Sequence, residues 1–233
     1  MNIELKAKEF AIKAHKGQVR KSDKEKPMII HPINVGQILK QYGFDENVVS
    51  AGYLHDVVED TSYEIEDIKN YFDEDVASLV YGASEPDKSL SWEERKKHTI
   101  EETKKLDLRH KAVICADKIS NLEDLKILFE IKGEYDFSAF KRGYESQKWY
   151  YTEVYNSLIF NEDENNPMFI RLKELIDEIF NNKDNDEYVK NIIFKDNIEE
   201  YNKLRKIHYR KEEVYKLKKV LSDNSPYVIE FTG

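Results

Sequence analysis

Apolar residues along the chain recur three and four positions apart, the spacing that lays them along one side of an α-helix. Phe10, Ala11 and Ala14 set this pattern in the first segment. No stretch alternates apolar and polar residues over the length of a strand. The pattern predicts helices over 2–16, 32–42, 46–58, 64–81 (as two), 91–106, 109–131, 136–159, 165–181 and 196–221. Gly17, Pro27, Gly43 before Asp45, Pro86 and Pro167 fall at the breaks, where chain reversals and helix ends need them. With 8 glycines and 5 prolines in 233 residues, breakers are scarce, and the fold class is all-α.

The pattern changes after residue 160. NEDENN and NNKDNDE read as loops, and a basic segment follows, YNKLRKIHYRKEEVYKLKK. Residues 1–160 are therefore expected to form the main domain and 161–233 a helical extension. Glu199, Glu200, Glu212 and Glu213 interleave with the basic residues, so that segment reads as a solvated helix face rather than a partner surface.

Charge narrows the function. The chain is 36% charged, with a formal net charge of -9. That balance speaks against non-specific nucleic-acid binding, which needs clustered Lys and Arg to neutralise phosphates. It leaves room for a small anionic substrate in a local basic pocket. Cys115 is the single cysteine, so no intramolecular disulfide forms and a reducing compartment is the default. The opening MNIELKAKEF lacks the apolar core of a signal peptide, and no apolar run approaches the roughly 20 residues that span a bilayer. The expectation is a cytoplasmic protein without membrane contact; a homo-oligomer is left open.

Candidate chemistry begins at residues 51–61, AGYLHDVVEDT, where His55, Asp56, Glu59 and Asp60 interrupt an apolar stretch. At about 100° per residue, with His55 at zero, Glu59 falls near 40°, Asp56 near 100° and Asp60 near 140°. Leu54, Val57 and Val58 lie opposite, between roughly 200° and 300°. Such a face is usually the wet side of an amphipathic helix. Here the three carboxylates repel one another, and Lys40 is the only cation between Met28 and Lys69. A divalent cation held by the adjacent His-Asp pair would relieve that repulsion. His31, in MIIHPIN, precedes Pro32 at a helix start. Asp117, in KAVICADKISNLEDL, sits on a helix that is apolar on nearly every side. A buried carboxylate there must be paired, hydrogen-bonded or metal-bound, because desolvating it alone costs several kcal/mol. Asn121 follows one turn later on the same face. Singly, each has an ordinary structural reading; together, two His and two Asp make an octahedral-type site with positions left for water.

The set His31, His55-Asp56, Asp117 resembles the H…HD…D pattern of the HD-domain metal-dependent phosphohydrolases. Longer blocks, HKGQVRK (15–21), IIHPINVG (29–36), AGYLHDVVEDT and CADKISNLEDL (115–125), resemble in order and spacing the hydrolase domain of the RelA/SpoT homologue family. The likeness covers about residues 5–158 and is nearest to the small alarmone hydrolases. It implies an HD-domain helical bundle with His31, His55, Asp56 and Asp117 as ligands of one divalent ion, Mn2+ being usual. It makes Glu59 and Asp60 the catalytic pair, and Arg20 and Lys21 a basic loop beside the metal and phosphates. It assigns Asn121 and Arg95 to substrate binding. The implied reaction is hydrolysis of the 3′-pyrophosphate ester of (p)ppGpp, by a water whose pKa the metal lowers, with Glu59 as general base or water-orienting group. Separately, QKWYY (147–151) could stack a base or bring Lys148 near phosphate.

Several positions depart from that family. Glu123 stands where NLRD has Arg, Ala83-Ser84-Glu85 replaces Val-Thr-Asp/Lys, Trp92 replaces a Lys, and Met28 replaces a Tyr. They leave open another nucleotide phosphate ester as substrate, or a non-catalytic nucleotide-binding or regulatory module. His15 is read as a structural residue at a helix end, His98, His110 and His208 as solvent-facing, and Cys115 as core.

Overall fold

The structure, a computed structural model, describes residues 2–20, 26–85, 89–132, 137 and 142–181. Its elements are α1 (Ile3–Ala14), α2 (Ile30–Gln41), α3 (Glu46–Leu54), α4 (Val57–Asp60), α5 (Ile65–Tyr71), α6 (Glu74–Ala83), α7 (Trp92–Thr103), α8 (Leu108–Lys132), α9 (Gly143–Leu158) and α10 (Pro167–Phe180). Among the described residues there is no sheet, only an isolated antiparallel bridge between Val19 and Pro27. The fold is all-α. No helix among the described residues is long and apolar enough to cross a membrane. The helix expected at 196–221 lies outside the described residues.

Two units divide the chain. One comprises Met1–Glu123 and Phe137–Asn182, and the other Asp124–Asp136 and Lys183–Gly233, of which the C-terminal part of α8 is described.

Local chemistry starts the helices where the sequence pattern put them. Asn2 accepts from the Glu4 and Leu5 N–H groups, Asp45 from Asn47 and Val48, and Asp73 from Val76. Ser91 and Glu94 form a capping box on α7, and Asn166 caps α10 with Pro167 at its first position. Packing then fixes the core. α1, α2 and α3 bury Ala7, Ala11, Leu39, Val48 and Leu54 between them, and α8 buries Val113, Cys115, Ala116, Ile119 and Leu122. α10 packs on α9 with Met168, Phe169, Leu172 and Ile176 buried. Part of the segment read as an extension beyond residue 160 therefore shares the first unit's core.

Two expected helices end differently. The helix predicted over 46–58 breaks into α3 and α4 at the His55-Asp56 pair. The Gly52 carbonyl, which an unbroken helix would offer to the Asp56 N–H, instead accepts from the His55 ring at 2.9 Å. The helix predicted from 136 has its regular course from Gly143, whose φ of +67° no continuous helix passes through.

Glycine enables the one close crossing that matters for the site. A Cβ on Gly36 would lie 2.2 Å from the Tyr53 ring, and one on Gly52 would lie 2.5 Å from Leu39 and 3.1 Å from the Gly36 Cα. α2 and α3 thus approach backbone to backbone, which brings His31 and His55 to a ring-centroid distance of 5.1 Å. Gly52→Ala is expected to cost about 1–3 kcal/mol in denaturant unfolding, as overpacking does, and to weaken metal binding by displacing His55.

Candidate metal centre

His31 sits in the first turn of α2, His55 and Asp56 at the α3–α4 break, and Asp117 in the middle of α8. Donor atoms of His31, His55 and Asp117 lie within 4.8 Å of one another. Asp56 joins them: its carboxylate is 3.3 Å from His55 Nε2 and 3.6 Å from His31 Nε2. The Asp117 carboxylate is 3.0 Å from His31 Nε2 and 3.8 Å from His55 Nε2. The four residues expected as ligands are thus brought together from three distant segments.

The donor set fits a cation. Gly52 offers His55 Nδ1 only a carbonyl, so that nitrogen carries a proton and Nε2 is the ring atom left to face the centre. That Nε2 is buried without a hydrogen-bond partner and faces two carboxylates. Lone pairs of one imidazole and two carboxylates pointed at each other need a positive charge between them. The same demand appears in its titration: burial alone would lower the His55 pKa, yet Asp56 and Asp117 hold it above the ordinary value. His31 differs, since burial and the Arg20 guanidinium pull its pKa down, leaving a neutral ring. Ser120 Oγ stands 3.0 Å from His31 Nδ1, placed to fix that ring while Nε2 faces the carboxylates. Burial would raise the Asp56 and Asp117 carboxyls; His55 and His31 hold Asp56 below the usual range, and Lys118 with His31 holds Asp117 well below it. Both acids are therefore ionised at neutral pH, as metal ligands must be.

Around this centre the remaining expected residues separate. Asn121 donates to Asp117 Oδ1 at 2.5 Å and accepts from Arg20 Nη2 at 2.8 Å, so Arg20 reaches the centre through it. The Val19–Pro27 bridge aims Arg20: its N–H donates to the Lys26 carbonyl at 2.8 Å, and the Met28 N–H to the Gln18 carbonyl at 3.0 Å. Lys21 lies outside the described residues. Glu59, on α4 one turn past Asp56, accepts from the Glu85 backbone N–H at 2.6 Å. Burial holds the Glu59 carboxyl above its ordinary value, against the Glu85 N–H, which favours the anion. Asp60 follows, its carbonyl accepting from Gln18 Nε2 at 2.6 Å. Arg95 is 3.1 Å from the Glu85 carboxylate, which also pairs with Lys96. Lys148 lies on α9, half-buried.

Some site residues were not anticipated. Lys118 is largely buried, 2.6 Å from Asp117 Oδ2 and 5.4 Å from the Tyr150 ring centroid. The reasoning that singled out Asp117 applies equally to a lysine in the same apolar helix. Ser120 was missed because a serine in a helix carries no distinctive signal. Of the departures, Glu123 pairs with Arg171 of α10 at 3.0 Å, and Trp92 packs 6.1 Å from both the Trp149 and Tyr150 rings. Met28 is buried. His110, read as solvent-facing, is half-buried and bonds Asp107 and Ser78, while Cys115 is buried as read from sequence. His98 is exposed, and His208 lies outside the described residues.

Residues 7–132 match the family described as HD domain. The guanosine-3′,5′-bis(diphosphate) 3′-pyrophosphohydrolase MESH1 of Drosophila melanogaster is 42% identical over 121 residues, covering 51% of this chain and 67% of that protein. The crystal structure of lmo0812 from Listeria monocytogenes EGD-e superposes with a TM-score of 0.62 at 44% identity, over 65% of this chain and 99% of that one. A solved structure described as a metazoan ortholog of SpoT that hydrolyzes ppGpp superposes with a TM-score of 0.65 at 30% identity, over 76% of this chain and 96% of that one.

Proposed function

The chain belongs to the HD-domain family, and from that premise we propose that it is a metal-dependent hydrolase removing the 3′-pyrophosphate of (p)ppGpp, with Mn2+ as its ion. The observation that carries the reading is the buried Nε2 lone pair of His55 facing Asp56 and Asp117, beside a second carboxylate pair, Glu59 and Asp60. Similarity to proteins named for this reaction supports the substrate.

His31, His55, Asp56 and Asp117 would hold the ion, which supplies Lewis acidity towards water and phosphate oxygens. The chain's own groups do the rest. Glu59, whose carboxyl burial makes a better base than an exposed glutamate, accepts a proton from the attacking water. Arg20 neutralises charge on the phosphoryl oxygens, with Lys21 the neighbouring cation in the sequence. Asn121 holds Arg20 and Asp117 in one frame. Asp60 is the neighbouring carboxylate on α4. As the water oxygen bonds to phosphorus the phosphorus–O3′ bond breaks, pyrophosphate leaves, and the ribose 3′-oxygen takes up a proton. Lys148 and Arg95 retain roles only as candidates for the distal phosphates.

Incubating the purified protein with Mn2+ and ppGpp, and scoring pyrophosphate against orthophosphate, tests the proposal. Pyrophosphate in step with GDP is expected; orthophosphate alone, or no turnover, argues against it. A second reading, another nucleotide phosphate ester, draws on Glu85, which engages the Arg95 and Lys96 cations that a distal phosphate would otherwise meet. Turnover of such an ester without turnover of ppGpp would favour it.

A pH profile adds a further expectation. Glu59 acts as a base only when ionised, and its pKa is raised. Activity is therefore lost as pH falls through a limb lying above the ordinary glutamate value of 4.5. Measured kcat/KM against pH should show that limb in the wild type and lose it in Glu59→Gln.

A further inference from the structure

We propose that His15 and Gln18 are positioning residues that lock the Arg20 loop and the Glu59–Asp60 turn into one frame, an inference that rests on the hydrolase reading for its kinetic consequence. α4 spans only Val57–Asp60. A single turn cannot hold itself, because its first hydrogen bonds do not repay the order they impose. Thr61, which follows, is already extended. The carboxylate pair therefore needs anchors from elsewhere in the fold.

Gln18 supplies one. Its Nε2 donates to the Asp60 carbonyl at 2.6 Å, an acceptor that α4 is too short to use itself. Gln18 also closes the bridge that carries Arg20, since its backbone carbonyl accepts from the Met28 N–H at 3.0 Å. One residue thus touches both halves of the site, the cation arm through its backbone and the carboxylate turn through its side chain.

His15 sets the direction of the Gln18 amide. Because Nε2 of Gln18 is committed as a donor to Asp60, its Oε1 is the acceptor, and His15 Nδ1 donates to it at 2.7 Å. The His15 ring cannot swing away. It is 1% exposed and ends α1, its N–H bonded to carbonyls of that helix. Gly17, at φ +80°, then turns the chain back so that the Gln18 N–H reaches the His15 carbonyl at 3.0 Å. The α1 core residues Ala7 and Ala11, both fully buried, thereby become the foundation on which Arg20 and α4 are aligned.

A histidine that merely filled space at the end of α1 would tolerate any replacement of similar volume. A positioning histidine requires a donor at the Nδ1 position, which asparagine reproduces and alanine or leucine does not. The test uses the full Mn2+-loaded chain and four variants: His15→Ala, His15→Asn, Gln18→Ala and Gln18→Glu. His15→Ala and both Gln18 variants are expected to lose kcat by about 10- to 100-fold, the scale of a small misplacement of reacting groups, with KM and Mn2+ affinity within about twofold of wild type. His15→Asn is expected to recover most of that loss. A readout independent of substrate accompanies it. Amide hydrogen exchange over residues 57–61 should run about tenfold faster in His15→Ala and Gln18→Ala, with α3 and α8 unchanged. Unchanged exchange in both variants, equal defects in His15→Asn and His15→Ala, or kcat falling only in step with Mn2+ affinity would each overturn the proposal. If the wild type leaves ppGpp intact, the hydrolase reading fails, and the exchange pattern alone still decides this one.

Discussion

Asp56→Ala is expected to fold, to bind no divalent ion at micromolar concentrations, and to release no pyrophosphate from ppGpp. The Asp56 carboxylate stands 3.3 Å from His55 Nε2 and 3.6 Å from His31 Nε2, so its loss opens one side of the cage and removes one of its two nearest negative charges. Partners that only orient metal ligands already cost 10- to 100-fold in affinity when removed, and a ligand should exceed about 100-fold. Folding should survive because Asp56 is partly exposed and caps no helix with its side chain. Removal also changes the titration of its neighbour. Asp56 is the leading influence that raises the His55 pKa against burial, so without it His55 should titrate lower. Thermal unfolding with and without Mn2+ gives a clean check. A ligand that binds only the folded state stabilises it by about 2.7 kcal/mol at 100 times Kd. The wild type should gain that stabilisation and Asp56→Ala should not.

Glu59→Gln should do the opposite, keeping the ion and losing about 10²- to 10⁴-fold in kcat, the usual contribution of a general base. Glu59 is one turn beyond the donor cluster and is held by the Glu85 N–H at 2.6 Å. A glutamine oxygen can accept that same bond, so the turn should remain in place while the capacity to take a proton disappears. Steady-state kinetics and a metal titration on the same preparation separate the two effects. Equal loss of metal in Glu59→Gln and Asp56→Ala would refute the division of labour between the two carboxylates.

Most helices were legible because their signals are local. Asn2, Asp45, Asp73, Ser91 and Asn166 each cap the helix that the apolar spacing predicts. The break at His55-Asp56 was not legible, because it arises from a side chain taking a backbone carbonyl within a stretch that is otherwise a good helix. The gathering of His31, His55, Asp56 and Asp117 could be anticipated from charges placed in apolar surroundings, which need a common explanation. Their partners were harder. Gln18, Ser120 and Glu85 act through contacts whose geometry depends on how distant segments pack, and no spacing rule encodes that. Lys118 could have been found, since a lysine next to a buried aspartate in an apolar helix obeys the same desolvation argument. Glu123, a departure from the family pattern, meets Arg171 of α10. The substitution thus has a partner on α10.

The most direct test strips the protein of metal and adds Mn2+ back while pyrophosphate release from ppGpp is followed. Turnover should rise with bound metal and level off at one ion per chain, with none in Asp56→Ala. Turnover that is indifferent to added metal, or that needs no side chain among His31, His55, Asp56 and Asp117, would contradict the assignment of these residues as the ion's ligands.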